Sequence, residues 1–136
     1  MIFDWILRGG TVIDGSGKEG FLADVGILDG KIAAVGELSG AQAKSTLNVT
    51  GKLETPGFID IHRHADAALF REGFGDAELF QGLTTVVNGN CGLSIAPSGG
   101  AFQKEIFDYL TPVTGRPEKR MRTESMGSYL QAVKEQ

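Results

Sequence analysis

Twenty of the 136 residues are glycine, and most fall within the first hundred positions, where they punctuate short strands. Phe3 to Arg8 reads as one strand, Gly9-Gly10 as a turn, and Thr11 to Ile13 as a second strand. ADVGILDGKIAAVG, residues 23 to 36, is the clearest local signal. Two apolar runs flank Asp29-Gly30, a pair suited to a two-residue hairpin because both central residues take positive φ. Ser45 to Val49 reads as a further strand. The first 55 residues are therefore expected to form a small β-layer of hairpins.

Thr55-Pro56-Gly57 breaks the pattern. Proline cannot donate to a sheet ladder and suits the entry of a new strand, here Phe58 to Ile61. A helix over Asp76 to Leu83 follows, with Asp76 as N-cap and Ala77, Leu79, Phe80 and Leu83 as its apolar members. Thr84 to Val87 is β-branched throughout and reads as a fully buried strand. Gly89-Asn90-Cys91-Gly92 is a loop. Phe102, Ile106, Phe107 and Leu110 fall at helical spacing, Pro112 to Pro117 reads as a loop, and Ser125 caps a last helix carrying Met126, Tyr129, Leu130 and Val133. Strands alternating with helices imply a parallel sheet covered on both faces. The fold class is α/β, divided into residues 1–55 and 56–136.

The chain is 41% apolar and 22% charged, an ordinary globular composition. Its net charge of −4 argues against a nucleic-acid partner. The one basic cluster, RPEKRMR at 116 to 122, reads as a solvated loop. A single cysteine, Cys91, excludes an intrachain disulfide. MIFDWILRGG has no basic n-region and too short an apolar run for a secretory signal. No run approaches the roughly 18 apolar residues that suggest a membrane span. Cytoplasmic is the default expectation.

Both histidines of the chain lie within GFIDIHRHAD, residues 57 to 66. Successive side chains of a strand point to opposite faces, so His62 and His64 are expected to face the same way, with Cα atoms roughly 6.6 Å apart. Two imidazoles so placed can converge on one metal. Asp60 shares that face, as ligand or as acceptor behind a ligand, and Asp66 can serve either way from the loop beyond. A lone His-x-His pair is a weak motif, and two surface histidines explain it equally well. Its position at the end of an apolar strand matters more, because ligands of α/β proteins gather at the C-terminal ends of such strands. Cys91 follows the next predicted strand and shares the histidines' rim if the strands are parallel neighbours. Its other reading is a buried free thiol. Asn90 and Ser94 offer polar groups nearby, or are plain turn residues.

GFIDIHRHAD resembles the metal-binding opening of the amidohydrolase superfamily. GLTTVVNGNCGLSIAP, residues 82 to 97, closely resembles the segment that marks the D-aminoacylase, or N-acyl-D-amino-acid deacylase, branch. ILRGGTVIDGSG and ADVGILDGKIAAVG look like the small β-domain that precedes the barrel in these enzymes. The resemblance implies a β-layer belonging to a β-sandwich domain (1–55) and the first strand-helix units of an incomplete TIM-type (β/α)8 barrel (56–136). It implies a hydrolase that cleaves the amide of an N-acyl-D-amino acid, with His62, His64 and Cys91 as metal ligands and zinc as the metal. Asp66 is the one candidate for a catalytic group. Arg63 departs from the small residue often found between such histidines, and is expected to face away from the metal side towards a covering helix or to be exposed at the strand end.

A complete (β/α)8 barrel takes about 250 residues, and no histidine follows His64. These residues are thus expected to be the N-terminal part of an enzyme, without turnover alone and with weak or absent metal binding. Open sheet edges make self-association an expectation as well. Two other readings stand beside this one. A dihydropyrimidinase or another cyclic-amide hydrolase would lack a role for Cys91. A non-enzymatic, β-rich interaction module would leave the two imidazoles on opposite faces, or Cys91 far from both.

Overall fold

The computed structural model describes all 136 residues, Met1–Gln136, as two compact units, Met1–Pro56 and Gly57–Gln136. The first unit is one mixed sheet. Its strands are β1 (Ile2–Val12), β2 (Phe21–Leu28), β3 (Lys31–Gly36), β4 (Gln42–Asn48) and β5 (Leu53–Glu54), ordered β3-β2-β1-β4, with β5 also on β1. The expected hairpin joins β2 to β3, with Asp29 at φ 51° and Gly30 at φ 71°. Two expectations are corrected. Gly9-Gly10 is not a turn: one strand runs through it, and the register against β2 shifts between Leu7 and Gly10. Nor is the layer built of hairpins alone, since β4 and β5 both pair with β1 in parallel.

The Gly9 irregularity has a visible cause. Arg8 and Gly9 together face Asp24, and Gly9 takes φ 75°, the backbone of a β-bulge. Asp24 fills the gap. Its carboxylate accepts from the Gly9 N–H at 3.0 Å, from Arg8 Nη1 at 2.8 Å and from the Leu38 N–H at 3.3 Å. Val12, Ala23 and Val25 form the buried cluster beside it, with Leu7 and Ile27 packed around them.

In the second unit β6 (Phe58–Asp60) and β7 (Leu83–Val86) pair in parallel. Between them lie a single 3₁₀ turn (Ala68–Phe70) and helix α1 (Asp76–Phe80). Gly75 rather than Asp76 is the N-cap of α1, and the helix stops at Phe80, before the expected Leu83. Asp76 and Glu78 instead lie in its first turn, where acidic side chains favour the helix dipole. The expectation of a fully buried β7 also fails: Thr84 and Thr85 are exposed, and Leu83 and Val86 are half-buried.

Helix α2 (Gln103–Thr114) passes through Pro112, so the expected loop begins only at Gly115. Proline has no N–H, and in the last turn it forgoes one helical bond. The Thr111 and Thr114 hydroxyls engage the Phe107 and Leu110 carbonyls there. Helix α3 (Met126–Lys134) starts as expected, with Ser125 Oγ accepting from the Ser128 N–H at 3.0 Å. The core of this unit collects Ala67, Phe70, Ile95, Ala96, Met121, Tyr129 and Ala132. Met121 comes from the basic stretch read as a solvated loop, and is buried while Arg120 donates to the Phe70 carbonyl and Arg122 pairs with Glu135.

Tyr129 holds this core to the chain that follows β6. Its hydroxyl donates to the Asp66 carbonyl at 2.9 Å. Burial first, and the nearby Asp66 charge second, push its pKa up from 10.0 to about 12. The folded chain thus keeps a proton that the unfolded chain loses above pH 10. Stability is full below pH 10 and falls as pH rises towards about 12. Thermal melts across this range will show the decline in the wild type, and Tyr129→Phe will flatten it.

Candidate metal centre

The rim beyond β6 and β7 is assembled by backbone bonds that outlast the strands. Strand β6 ends at Asp60, so His62 and His64 are not strand residues, and the alternation that was to place them on one face does not act. A turn does the work instead. Asp60 Oδ1 accepts from the His62 N–H at 3.0 Å, which bends the chain there. The Asp60 carboxylate therefore serves the backbone, with Arg63 Nη1 3.9 Å from its other oxygen.

Three bonds then tie this segment to the one after β7. Val87 N–H donates to the Asp60 carbonyl at 2.8 Å, Arg63 N–H to the Val87 carbonyl at 3.0 Å, and Ala65 N–H to Asn88 Oδ1 at 3.0 Å. The Arg63 side chain pairs with Glu78 of α1. It thus reaches the covering helix while staying part-exposed.

His62, His64 and Cys91 come together at this rim. One potential ligand atom from each lies within 4.8 Å of the other two. Cys91 Sγ is 3.2 Å from His62 Nε2. The imidazole rings meet edge to face, with centroids 5.4 Å apart. Two imidazoles and a sulfur are a donor set suited to a borderline-soft divalent cation. His64 Nδ1 is buried with no hydrogen-bond partner, an expensive state for a polar nitrogen unless a cation engages the ring. The residues present therefore fit a metal.

Asp66 lies outside the trio. It is 3% exposed, its Oδ1 lies 2.9 Å from Ser94 Oγ, and its Oδ2 is buried without a partner. Asn90 behaves as a turn residue, donating from Nδ2 to the Val87 carbonyl at 2.7 Å. Asn88 escaped the sequence reading. The available signal was an amide side chain directly after a β-branched strand, where loop polar groups meet the next segment's backbone.

Sequence and structure both resemble those of known proteins. No protein-family model matches the chain. A mixed sheet leading into the β/α units of an incomplete barrel is the architecture it shares with amidohydrolases of solved structure. Within that superfamily the chain is a homologue of the D-aminoacylase and N-acyl-D-amino-acid deacylase branch. It is 42% identical over 130 residues to a D-aminoacylase of Alcaligenes xylosoxydans xylosoxydans, covering 85% of this chain and 27% of that protein. The D-aminoacylase whose crystal structure defines a novel subset of amidohydrolases superposes with a TM-score of 0.80 at 44% identity, over 96% of this chain and 27% of the other. The N-acyl-D-glutamate deacylase of Bordetella bronchiseptica, solved with zinc and a phosphonate mimic of the tetrahedral intermediate, gives 0.68 at 43%, over 72% and 21%. The chain thus spans about a quarter of the length of the relatives it matches.

The backbone at the cysteine is itself informative. Cys91 takes φ 58° and ψ 15°, a left-handed conformation that costs a residue with a Cβ roughly 1–2 kcal/mol. Such strain gathers at functional sites. Cys91→Gly relieves it, less the glycine's larger loss of entropy, and is expected to stabilise the metal-free chain by roughly 0.5–1 kcal/mol. A lower melting temperature for the glycine variant contradicts this.

Proposed function

We propose that these residues belong to a metal-dependent amidohydrolase that cleaves the amide bond of N-acyl-D-amino acids, with His62, His64 and Cys91 as metal ligands and zinc as the metal. The observation that carries the reading is the convergence of those three side chains in a chain homologous to D-aminoacylases. An interaction module has no use for that convergence, and Cys91 gives the deacylase branch the advantage over cyclic-amide hydrolases.

A metal held here supplies Lewis acidity to the scissile carbonyl and acidifies water near neutral pH. The chain's own residues hold the donors in place. The Asp60 carboxylate and Val87 carbonyl fix the backbone on either side of His62. Asn88 fixes the backbone just past His64. The Glu78 carboxylate offsets the Arg63 charge on the wall that the histidines share. A cavity of about 570 Å³ opens beside both histidines, lined also by Arg71, Phe74 and Glu78. Its size suits a small molecule, and an N-acyl amino acid is the substrate proposed for it.

Cobalt(II) tests the ligand set, because a thiolate bound to cobalt gives an intense charge-transfer absorption. With three donors the wild-type chain is expected to bind weakly and to develop that band only at high cobalt concentration. Cys91→Ser removes the band, and His62→Ala weakens binding at least tenfold, about the effect of losing one of three protein ligands. A wild-type spectrum without the thiolate band overturns the assignment of Cys91. In the whole protein, the same two substitutions are expected to abolish chelator-sensitive release of the D-amino acid from its N-acetyl derivative.

A further inference from the structure

Asp66 joins three parts of the second unit, and none of its contacts involves the metal donors themselves. It stands two residues after His64. The Ser94 hydroxyl, three residues after Cys91, is placed to donate to Asp66 Oδ1 at 2.9 Å. That hydroxyl accepts from the Ala96 N–H at 3.3 Å, and the Ala96 carbonyl at 2.8 Å is a second acceptor within reach of its one proton. From the opposite side the buried Tyr129 hydroxyl donates to the Asp66 carbonyl at 2.9 Å. The side chain of Asp66 thus ties the cysteine segment to the histidine segment, while its main chain is clamped by α3.

We infer that Ser94 and Tyr129 are positioning residues that act through Asp66 to fix the separation of His64 from Cys91. The reasons are geometric. The other ties between the two segments, at Val87 and Asn88, all lie before Cys91. The Ser94–Asp66 bond is the tie on its far side, so Cys91 is held at both ends of its turn. Asp66 is 3% exposed and Tyr129 7% exposed, so water does not readily replace either bond, and a buried polar group left without its partner costs far more than an exposed one. Cys91 holds a strained backbone, which persists only where surrounding contacts over-determine it. Neither Ser94 nor Tyr129 donates an atom to the trio, so their effect on a metal is indirect. Hydrogen-bond partners that orient metal ligands change affinity by about 10–100-fold when lost.

The inference rests on the proposed metal centre, and its test separates the two. The full chain is titrated with cobalt(II) while thiolate absorption is followed, and amide hydrogen exchange at Arg63 and Ala65 is measured on the metal-free chain. Ser94→Ala and Tyr129→Phe are expected to lower cobalt affinity about tenfold and to speed exchange at Ala65. Ser94→Thr keeps the hydroxyl and is expected to restore both. Asp66→Asn keeps the Oδ1 acceptor and is expected to retain most of the affinity. Lower melting temperatures with unchanged affinity in the folded variants make Ser94 and Tyr129 packing residues only, and overturn the inference. So does a loss of affinity in Asp66→Asn as large as in Cys91→Ser, since Asp66 would then act through its charge. A wild type that binds no cobalt, with Ala65 exchange still released by Ser94→Ala, defeats the metal centre and leaves the tie between segments standing. No cobalt binding and no change in exchange defeat both.

Discussion

The second unit depends on the parallel pairing of β6 with β7. Two parallel strands end on the same side, and the connection between them must return across the sheet. The pairing of Asp60 with Val86 brings the chain after Asp60 alongside the chain after Val86. The bonds at Val87 and Asn88 continue that alignment past the strands. His62 and Cys91 are 29 residues apart in sequence and touch only because of it. An antiparallel pairing would have sent the two loops to opposite ends.

The rim shows a division of labour among polar side chains. Asp60, Asn88 and Asn90 satisfy backbone groups, and Arg63 and Glu78 neutralise one another beside the site. The donors are then left free of competing hydrogen bonds, apart from the contact between His62 and Cys91. The cost shows in two places: His64 Nδ1 is buried without a partner, and Cys91 occupies left-handed backbone. Neither feature helps an unliganded fold. Local conflict of this kind marks a site under functional constraint.

The first unit resolves a conflict of another sort. Gly9 interrupts β1, and the strand survives because Asp24 accepts from both the Gly9 backbone and the Arg8 guanidinium. From the sequence, Gly9-Gly10 was indistinguishable from a turn, since the deciding partner lies 15 residues away. The parallel partners of β1 were hidden for the same reason, as strand pairing leaves no mark on local composition. The Asp29-Gly30 turn was legible because two adjacent residues carry its whole backbone requirement.

The sequence by itself determined the strand entering the histidines, the break near Pro56, the Ser125 cap and the identity of three side chains able to share a cation. These are properties of a few neighbouring residues: spacing, a missing N–H, a hydroxyl at a helix start, donor chemistry. The tertiary structure decided how the donors meet. Strand alternation was the wrong device for His62 and His64, because β6 stops at Asp60 and a side-chain hydrogen bond turns the chain there. It also decided that Met121 belongs to the core and that Tyr129 reaches Asp66 across 63 residues. Contacts between residues so far apart follow from the packing of whole elements, and no local pattern in the chain encodes them.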